Sequence, residues 1–363
     1  MLVPRDPIIT EALSAISPGR PLREGLDRVL QANKGALAIV GDGPEVLEIC
    51  SGGFLVDSSF SPQRFSELAK MDGAIILTTD SGRIARANVH LVPDPATPTV
   101  ETGTRHRTAE RVARSIDVPV VAVSEDLQVI TLYRGRHKHV LASVARLVGR
   151  ANQALQTLER YRERLDAVTG ALSALEVDDL VTVRDVTTVL QRSEMVRRIA
   201  EEVAGYIVEL GSDGRLIHLQ AEELLAGVDD DRRDIIRDYI GDESRAAVEV
   251  ALKSLQALET DHLLDAATVA DWLALGGRLV GAGAGVDLDA SAVPRGYRLL
   301  GKIPRLPRPV IENIVARYGY LEKVIGATLE DLAAIDGVGQ VIASTVKDGL
   351  ARQAESSALD RYG

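Results

Sequence analysis

Apolar positions follow two rhythms before residue 140. Stretches 7–16, Pro21–Gln31 and 62–70 repeat at helical spacing, whereas Ala36–Val40, 73–78, 88–92, 118–123 and 127–133 are short apolar runs bounded by turn residues. Runs of that length with such edges predict strands, and interleaved with helices they predict a sheet covered by helices. Residues 1–140 therefore read as an α/β domain, a mixed sheet flanked by helices.

From Leu141 the pattern turns continuously helical. Val144, Val148, Ala151, Leu155 and Leu158 step by four and three residues, the spacing of a helix seam. Two heptads are too few for a coiled coil, so this predicts a long helix packing on neighbouring helices or on a second subunit. Residues 141–290 form an all-α spine with a turn at Gly211-Ser-Asp-Gly214 and an acidic surface. The glycine cluster at 276–285 lacks a dinucleotide fingerprint between a strand and a helix, and reads as a linker or tight helix ending. Residues 291–363 form a third, all-α region in which helix, turn and helix occur twice.

At 363 residues the chain exceeds one comfortable core, which agrees with two or three domains. Aromatic residues make up only 3%, so the core has to be built from Val, Ile, Leu and Ala. The single cysteine, Cys50, cannot form an intramolecular disulfide and reads as a small buried apolar residue, which suits a reducing cytoplasm. Neither a secretory n-region nor a run of membrane-spanning length is present, so a soluble, intracellular protein without a membrane partner is expected. A net charge of −11 argues against a chain that coats nucleic acid. Residues 295–308, however, carry five basic residues and no acidic one, which confines any nucleic-acid contact to the C-terminus.

Two motifs carry candidate chemistry. Asp72-Gly73-Ala74 precedes a strand. It reads either as an ordinary Asp-Gly turn or as a carboxylate at a strand edge that holds a divalent cation, beside a glycine that lets backbone approach a ligand. Thr104-Arg105-His106-Arg107-Thr108 leads into a helix at 109–116 whose apolar face is Ala109, Val112, Ala113 and Ile116. Cations at a helix N-terminus oppose its dipole, and a bound polyphosphate would resolve the conflict. A solvated basic turn partnered by Glu101 and Glu110 is the plainer alternative. No Walker motif or Ser-His-Asp arrangement is visible, and His137 and His139 read as a solvent-facing strand edge rather than a metal site.

At the C-terminus, Ile335-Asp-Gly337-Val-Gly339 is a tight glycine turn between two short helices, the form of a helix-hairpin-helix. Its following N–H groups can hold a DNA phosphate, with Arg305, Arg308 and Lys347 in reach of the backbone. The earlier copy, Lys302-Ile-Pro-Arg-Leu-Pro307, has prolines in place of the glycines and is degenerate. Such binding would be salt-sensitive and not sequence-specific. A hairpin serving only protein contacts is the alternative.

The pairing of Asp72-Gly73-Ala74 with Gly103-Thr104-Arg105-His106-Arg107 resembles the diadenylate cyclase family, and the likeness runs through Ala87-Asn-Val-His-Leu91 and beyond to residues 120–125. The order of cyclase domain, helical spine and tandem helix-hairpin-helix resembles the branch of that family that checks DNA integrity, over essentially the whole chain. The resemblance implies an enzyme that condenses two ATP molecules into cyclic di-AMP and two pyrophosphates. It implies Mg²⁺ or Mn²⁺ held by Asp72, which also helps activate the 3′-hydroxyl. Gly73 and Ala74 would lie close to the nucleotide, and Leu91 would pack at the adenine or bond it through its backbone. Gly103 would border the substrate, and Thr104, Arg105, His106, Arg107, Thr108 and Ser124 would lie at the phosphates. Two domains from different subunits would face each other in a homo-oligomer, an octamer by analogy. The partner would be branched DNA such as recombination intermediates, placing the protein in the cytoplasm at the nucleoid in DNA damage and repair. A non-catalytic nucleotide-sensing DNA-repair scaffold is the alternative, and the intact Asp72 and Arg105-His106-Arg107 speak for the enzyme.

Overall fold

The computed structural model describes residues 7–277 and 285–362, and the chain divides into two compact units. The first comprises Met1–Gln156 with Ala200–Glu222, the second Thr157–Ile199 with Glu223–Gly363. Most of the glycine cluster at 276–285 lies outside the described residues.

The first unit is built on eight strands: β1 (Ala36–Val40), β2 (Cys50–Ser51), β3 (Phe54–Ser59), β4 (Ala74–Leu77), β5 (Arg83–Leu91), β6 (Val120–Ser124), β7 (Val129–Arg134) and β8 (His137–Val140). Their order is β2-β5-β4-β1-β6-β7-β8, with β3 also pairing with β5. Only β1 and β4 run parallel; the remaining pairs are antiparallel, so the sheet is mixed. All five residues of β1 are buried. Alternation explains how: Ala36, Ala38 and Val40 face helices α1 (Pro7–Ala15), α2 (Pro21–Gln31) and α4 (Pro62–Leu68), the short α3 being Pro44–Glu48. Leu37 and Ile39 face Ala109, Val112 and Ala113 of α5 (Thr104–Ile116) on the other side. A strand buried on both faces has to read as a continuous apolar run, which is why β1 was visible in the sequence.

Three elements were not visible. β3 pairs only at the sheet edge and exposes Phe54 and Leu55, and its three apolar residues give way to Asp57-Ser-Ser59, a run too short to mark a strand. The two residues of β2 and five of α3 are too short to show a period. His137 and His139 do lie on an edge strand, but His139 is only partly solvent-facing, with its Nε2 3.1 Å from a carboxylate oxygen of Glu209.

A long helix, α6 (Val144–Val177), replaces the sheet pattern and is followed by α7 (Val183–Leu210). The buried line on α6 is Leu147, Ala151, Leu155 and Leu158, with Leu147 taking the place foreseen for Val148. Gly211–Gly214 is a 3₁₀ turn into α8 (Arg215–Leu225). The second unit adds α9 (Val228–Tyr239), α10 (Arg245–Ala257), α11 (Thr260–Leu264), α12 (Ala266–Ala274), α13 (Tyr297–Gly301), α14 (Arg308–Tyr318), α15 (Leu321–Gly326), α16 (Leu329–Ala333) and α17 (Gly339–Tyr362). Helices α13 to α17 share a core that includes Leu299, Ile314, Val324, Leu332 and Val346. Beneath it lies a buried ionic centre. Arg298 pairs with Glu176, which also accepts a hydrogen bond from the Tyr239 hydroxyl at 2.7 Å. Asp238 accepts from the backbone N–H groups of Gly296, Tyr297 and Arg298 at 2.8, 2.7 and 3.0 Å.

Candidate functional site

The N-terminal end of α5 starts at Thr104, earlier than the sequence pattern indicated, so Arg105, His106 and Arg107 form its first turn. No side chain caps this end. Helix geometry leaves the first backbone N–H groups without an intrahelical acceptor, and they add to the positive end of the dipole. The preceding loop is fastened to the helix by four side chains. Glu110 accepts from the Thr99 hydroxyl (2.5 Å) and the Val100 N–H (3.1 Å). Arg107 donates to the carbonyls of Glu101 and Thr102, Arg111 to Thr97 and Arg114 to Pro98. Glu110 also pairs with Arg114 at 2.6 Å.

This helix end opens onto a cavity of about 950 Å³, within the range of small-molecule sites. Its walls bring together Asp72, Gly73, Ala74, Leu91, Gly103, Thr104, Arg105, His106, Thr108 and Ser124. Arg107, foreseen at the phosphates, is not brought to its wall: its guanidinium donates to the loop carbonyls of Glu101 and Thr102. Gly73 has φ 98°, and a Cβ there would lie 2.9 Å from the Asn88 backbone carbon and the Val89 carbonyl oxygen. Glycine is required for both reasons. Asn88 donates through its side chain to the Asp72 carbonyl, which fixes the turn that presents the carboxylate. The Thr108 hydroxyl donates to the Thr104 carbonyl (3.0 Å), and the Ser124 hydroxyl oxygen accepts from the Leu127 N–H (3.2 Å).

The site also contains residues that sequence reasoning did not select. Gly35, between α2 and β1, lies directly under Arg105; a Cβ there would collide with the guanidinium. Tyr133 of β7 is buried and bonds to His106 Nδ1 at 2.9 Å and to Glu101 Oε1 at 3.0 Å. Lys138 of β8 reaches the same Glu101 oxygen at 2.5 Å. Alternation on β7 and β8 could have placed Tyr133 and Lys138 on the α5 side, but nothing in the sequence pairs Tyr133 with His106, 27 positions earlier, or Lys138 with Glu101.

Burial pushes the His106 imidazole below its ordinary value, with Glu101 opposing and Lys138 and Arg105 reinforcing the shift. Burial alone would raise Glu101, but hydrogen bonds from Lys138 and Tyr133 outweigh it and hold the carboxyl below the ordinary range. Burial and the bond to Glu101 push the Tyr133 hydroxyl far up. At neutral pH the imidazole and the phenol are therefore neutral and Glu101 is a carboxylate.

Among the described residues no cluster of three or more His, Cys, Asp or Glu could cage a metal ion. Asp72 contributes one exposed carboxylate at the cavity wall. That donor set fits Mg²⁺ or Mn²⁺ arriving with a nucleotide, because such ions take one or two carboxylates and complete their shell with phosphate oxygens and water.

In the second unit, four of the five basic residues at 295–308 have protein partners, although Lys302 and Arg308 stay exposed. Arg298 is buried against Glu176, and Arg295 pairs with Glu243 at 3.1 Å and donates to the carbonyls of Arg237 and Asp238. Lys302 donates to the Ser173 hydroxyl at 3.2 Å. Two residues foreseen as phosphate contacts are likewise committed elsewhere. Arg308 pairs with Asp234 at 2.7 Å, and the Lys347 ammonium donates to the carbonyls of Ile325 and Ala327, closing the end of α15. Arg305 remains exposed, with φ 63°. Gly337 (φ 78°) and Gly339 (φ 55°) form the turn into α17, steadied by Asn313, whose side chain donates to the Asp336 carbonyl at 2.9 Å.

Residues 23–138 match the family described as "DisA bacterial checkpoint controller nucleotide-binding", and residues 141–279 the family described as "DisA bacterial checkpoint controller linker region". The chain is 51% identical over 362 residues to the DNA integrity scanning protein DisA of Frankia alni, covering 99% of each chain. It is 52% identical over 361 residues to that of Acidothermus cellulolyticus, covering 98% of this chain and 96% of the relative. With that of Streptomyces coelicolor the identity is 49% over 360 residues, covering 98% and 95%. No described helix is long and apolar enough to cross a membrane.

Proposed function

Because this chain belongs to the DNA integrity scanning protein DisA family, we propose that it is a diadenylate cyclase, condensing two ATP molecules into cyclic di-AMP and two pyrophosphates under the influence of bound DNA. The observation that carries this reading is the single cavity joining the Asp72 carboxylate to the uncapped, basic N-terminus of α5. Phosphoryl transfer demands charge neutralisation and in-line positioning more than a protein nucleophile, and this cavity supplies groups for both.

The free N–H groups of α5, Arg105 and the hydroxyls of Thr104 and Thr108 bind the polyphosphate, and Gly73 and Leu91 border the nucleoside. Asp72 would hold Mg²⁺ or Mn²⁺, which supplies Lewis acidity at the α-phosphate when bound. Each 3′-hydroxyl oxygen forms a bond to the other nucleotide's α-phosphorus, its proton leaves, and the bond to the pyrophosphate oxygen breaks. One domain holds one ATP, so closing the ring needs two domains face to face, and an octamer would provide such pairs. The C-terminal helices act as a helix-hairpin-helix whose Gly337–Gly339 turn, with Arg305, holds the backbone of branched DNA without reading sequence.

The test is incubation with ATP and Mg²⁺ or Mn²⁺, with products resolved by chromatography and mass, beside the Asp72→Asn variant. Cyclic di-AMP from the wild type and none from the variant supports the reading. Bound ATP with no cyclic product under either metal sinks it, and leaves a nucleotide-sensing scaffold.

A further inference from the structure

The chain of contacts behind α5 fixes where the protons sit. Tyr133 has one hydroxyl proton and two polar neighbours, His106 Nδ1 at 2.9 Å and Glu101 Oε1 at 3.0 Å. Glu101 is also in contact with the Lys138 ammonium, so it is a carboxylate and can only accept. The phenol proton therefore points at Glu101, and the Tyr133 oxygen has to accept from His106. Nδ1 carries the proton. In a neutral ring Nε2 is then a bare lone pair, and it is buried without a hydrogen-bond partner. A lone pair repels phosphate oxygens.

We infer that Tyr133 and Glu101 are positioning residues that lock His106 in the Nδ1–H form, so that His106 takes up a proton at Nε2 when the nucleotide's phosphates arrive. This rests on the nucleotide reading of the cavity. The proton comes from solvent and lands on Nε2; Nδ1–H stays on the Tyr133 oxygen, and the phenol proton stays on Glu101. The groups around the ring decide the balance. Glu101 favours the imidazolium, whereas Lys138 of β8, Arg105 of α5 and burial oppose it. Without phosphate the opposing set prevails; phosphate adds the missing negative charge.

Calorimetry tests this on the full chain with 3′-deoxy-ATP and Mg²⁺, a probe that lacks the attacking hydroxyl and cannot cyclise. Binding heats in buffers of different ionisation enthalpy give the number of protons exchanged. At neutral pH the wild type should take up about one proton per subunit more than His106→Gln. In Tyr133→Phe the Nδ1 lock is gone, the ring can present Nε2–H without an added proton, and that difference should fall by about half or more. Glu101→Gln, which keeps the shape but removes the charge favouring imidazolium, should also lower it and covers the case of a Tyr133→Phe protein that does not fold. Equal proton counts for wild type and His106→Gln overturn the inference while leaving nucleotide binding intact. So do counts unchanged by whichever of the two lock variants folds. No binding of the probe by the wild type overturns both the inference and the nucleotide reading.

Discussion

Single residues decide whether the basic end of the cavity is in place. Gly35 has no unusual φ; its role is only to leave room for Arg105. Because a Cβ there meets the far end of a flexible side chain, Gly35→Ala should fold with a stability change within about 0.5 kcal/mol. It should nevertheless displace the guanidinium and lower kcat/KM for ATP by about 10–100-fold, measured by initial rates of cyclic product. Gly73→Ala is the opposite case. The new Cβ meets backbone at 2.9 Å with φ at 98°, so thermal unfolding should show a loss of about 1–3 kcal/mol as well as lost activity. Asp72, Arg105 and His106 were legible in the sequence because their residue types and spacing form a motif. Gly35 and Tyr133 were not, because their importance arises only when α2, β1, β7 and α5 are brought together.

The elements were legible wherever burial imposed a period. Strand β1, buried on both faces, and helix α2 stood out; edge strand β3, with polar and exposed positions, did not. The partners of the basic run at 295–308 were hidden for a related reason. Charge is visible in a sequence, but its partners Glu176, Asp234 and Glu243 lie 52 to 122 positions away. The same ionic centre yields a pH prediction. Burial and the nearby Glu176 push Asp238 up from 3.8 to about 7, despite three backbone N–H donors. An acid with a raised folded-state value binds its proton more tightly when folded. Its contribution is therefore complete at low pH and lost as pH rises from about 4 through about 7. The second unit should become less stable across that window, and Asp238→Asn, which keeps an acceptor but does not titrate, should flatten the dependence in thermal melts at several pH values. Arg298→Met, by contrast, leaves Glu176 buried without its cation and should cost about 3–5 kcal/mol by denaturant unfolding.

On the scale of the whole molecule, the proposal asks one cavity to do half of a reaction. If ring closure needs two copies face to face, specific activity should fall on dilution, while binding of 3′-deoxy-ATP per subunit should not. The most direct test of the central claim is the stoichiometry of the products formed from ATP. Two pyrophosphates for each cyclic di-AMP, without ADP or orthophosphate, is the result that follows from paired attack on two α-phosphates. ADP and orthophosphate as the main products, or ATP bound and left intact, would contradict it.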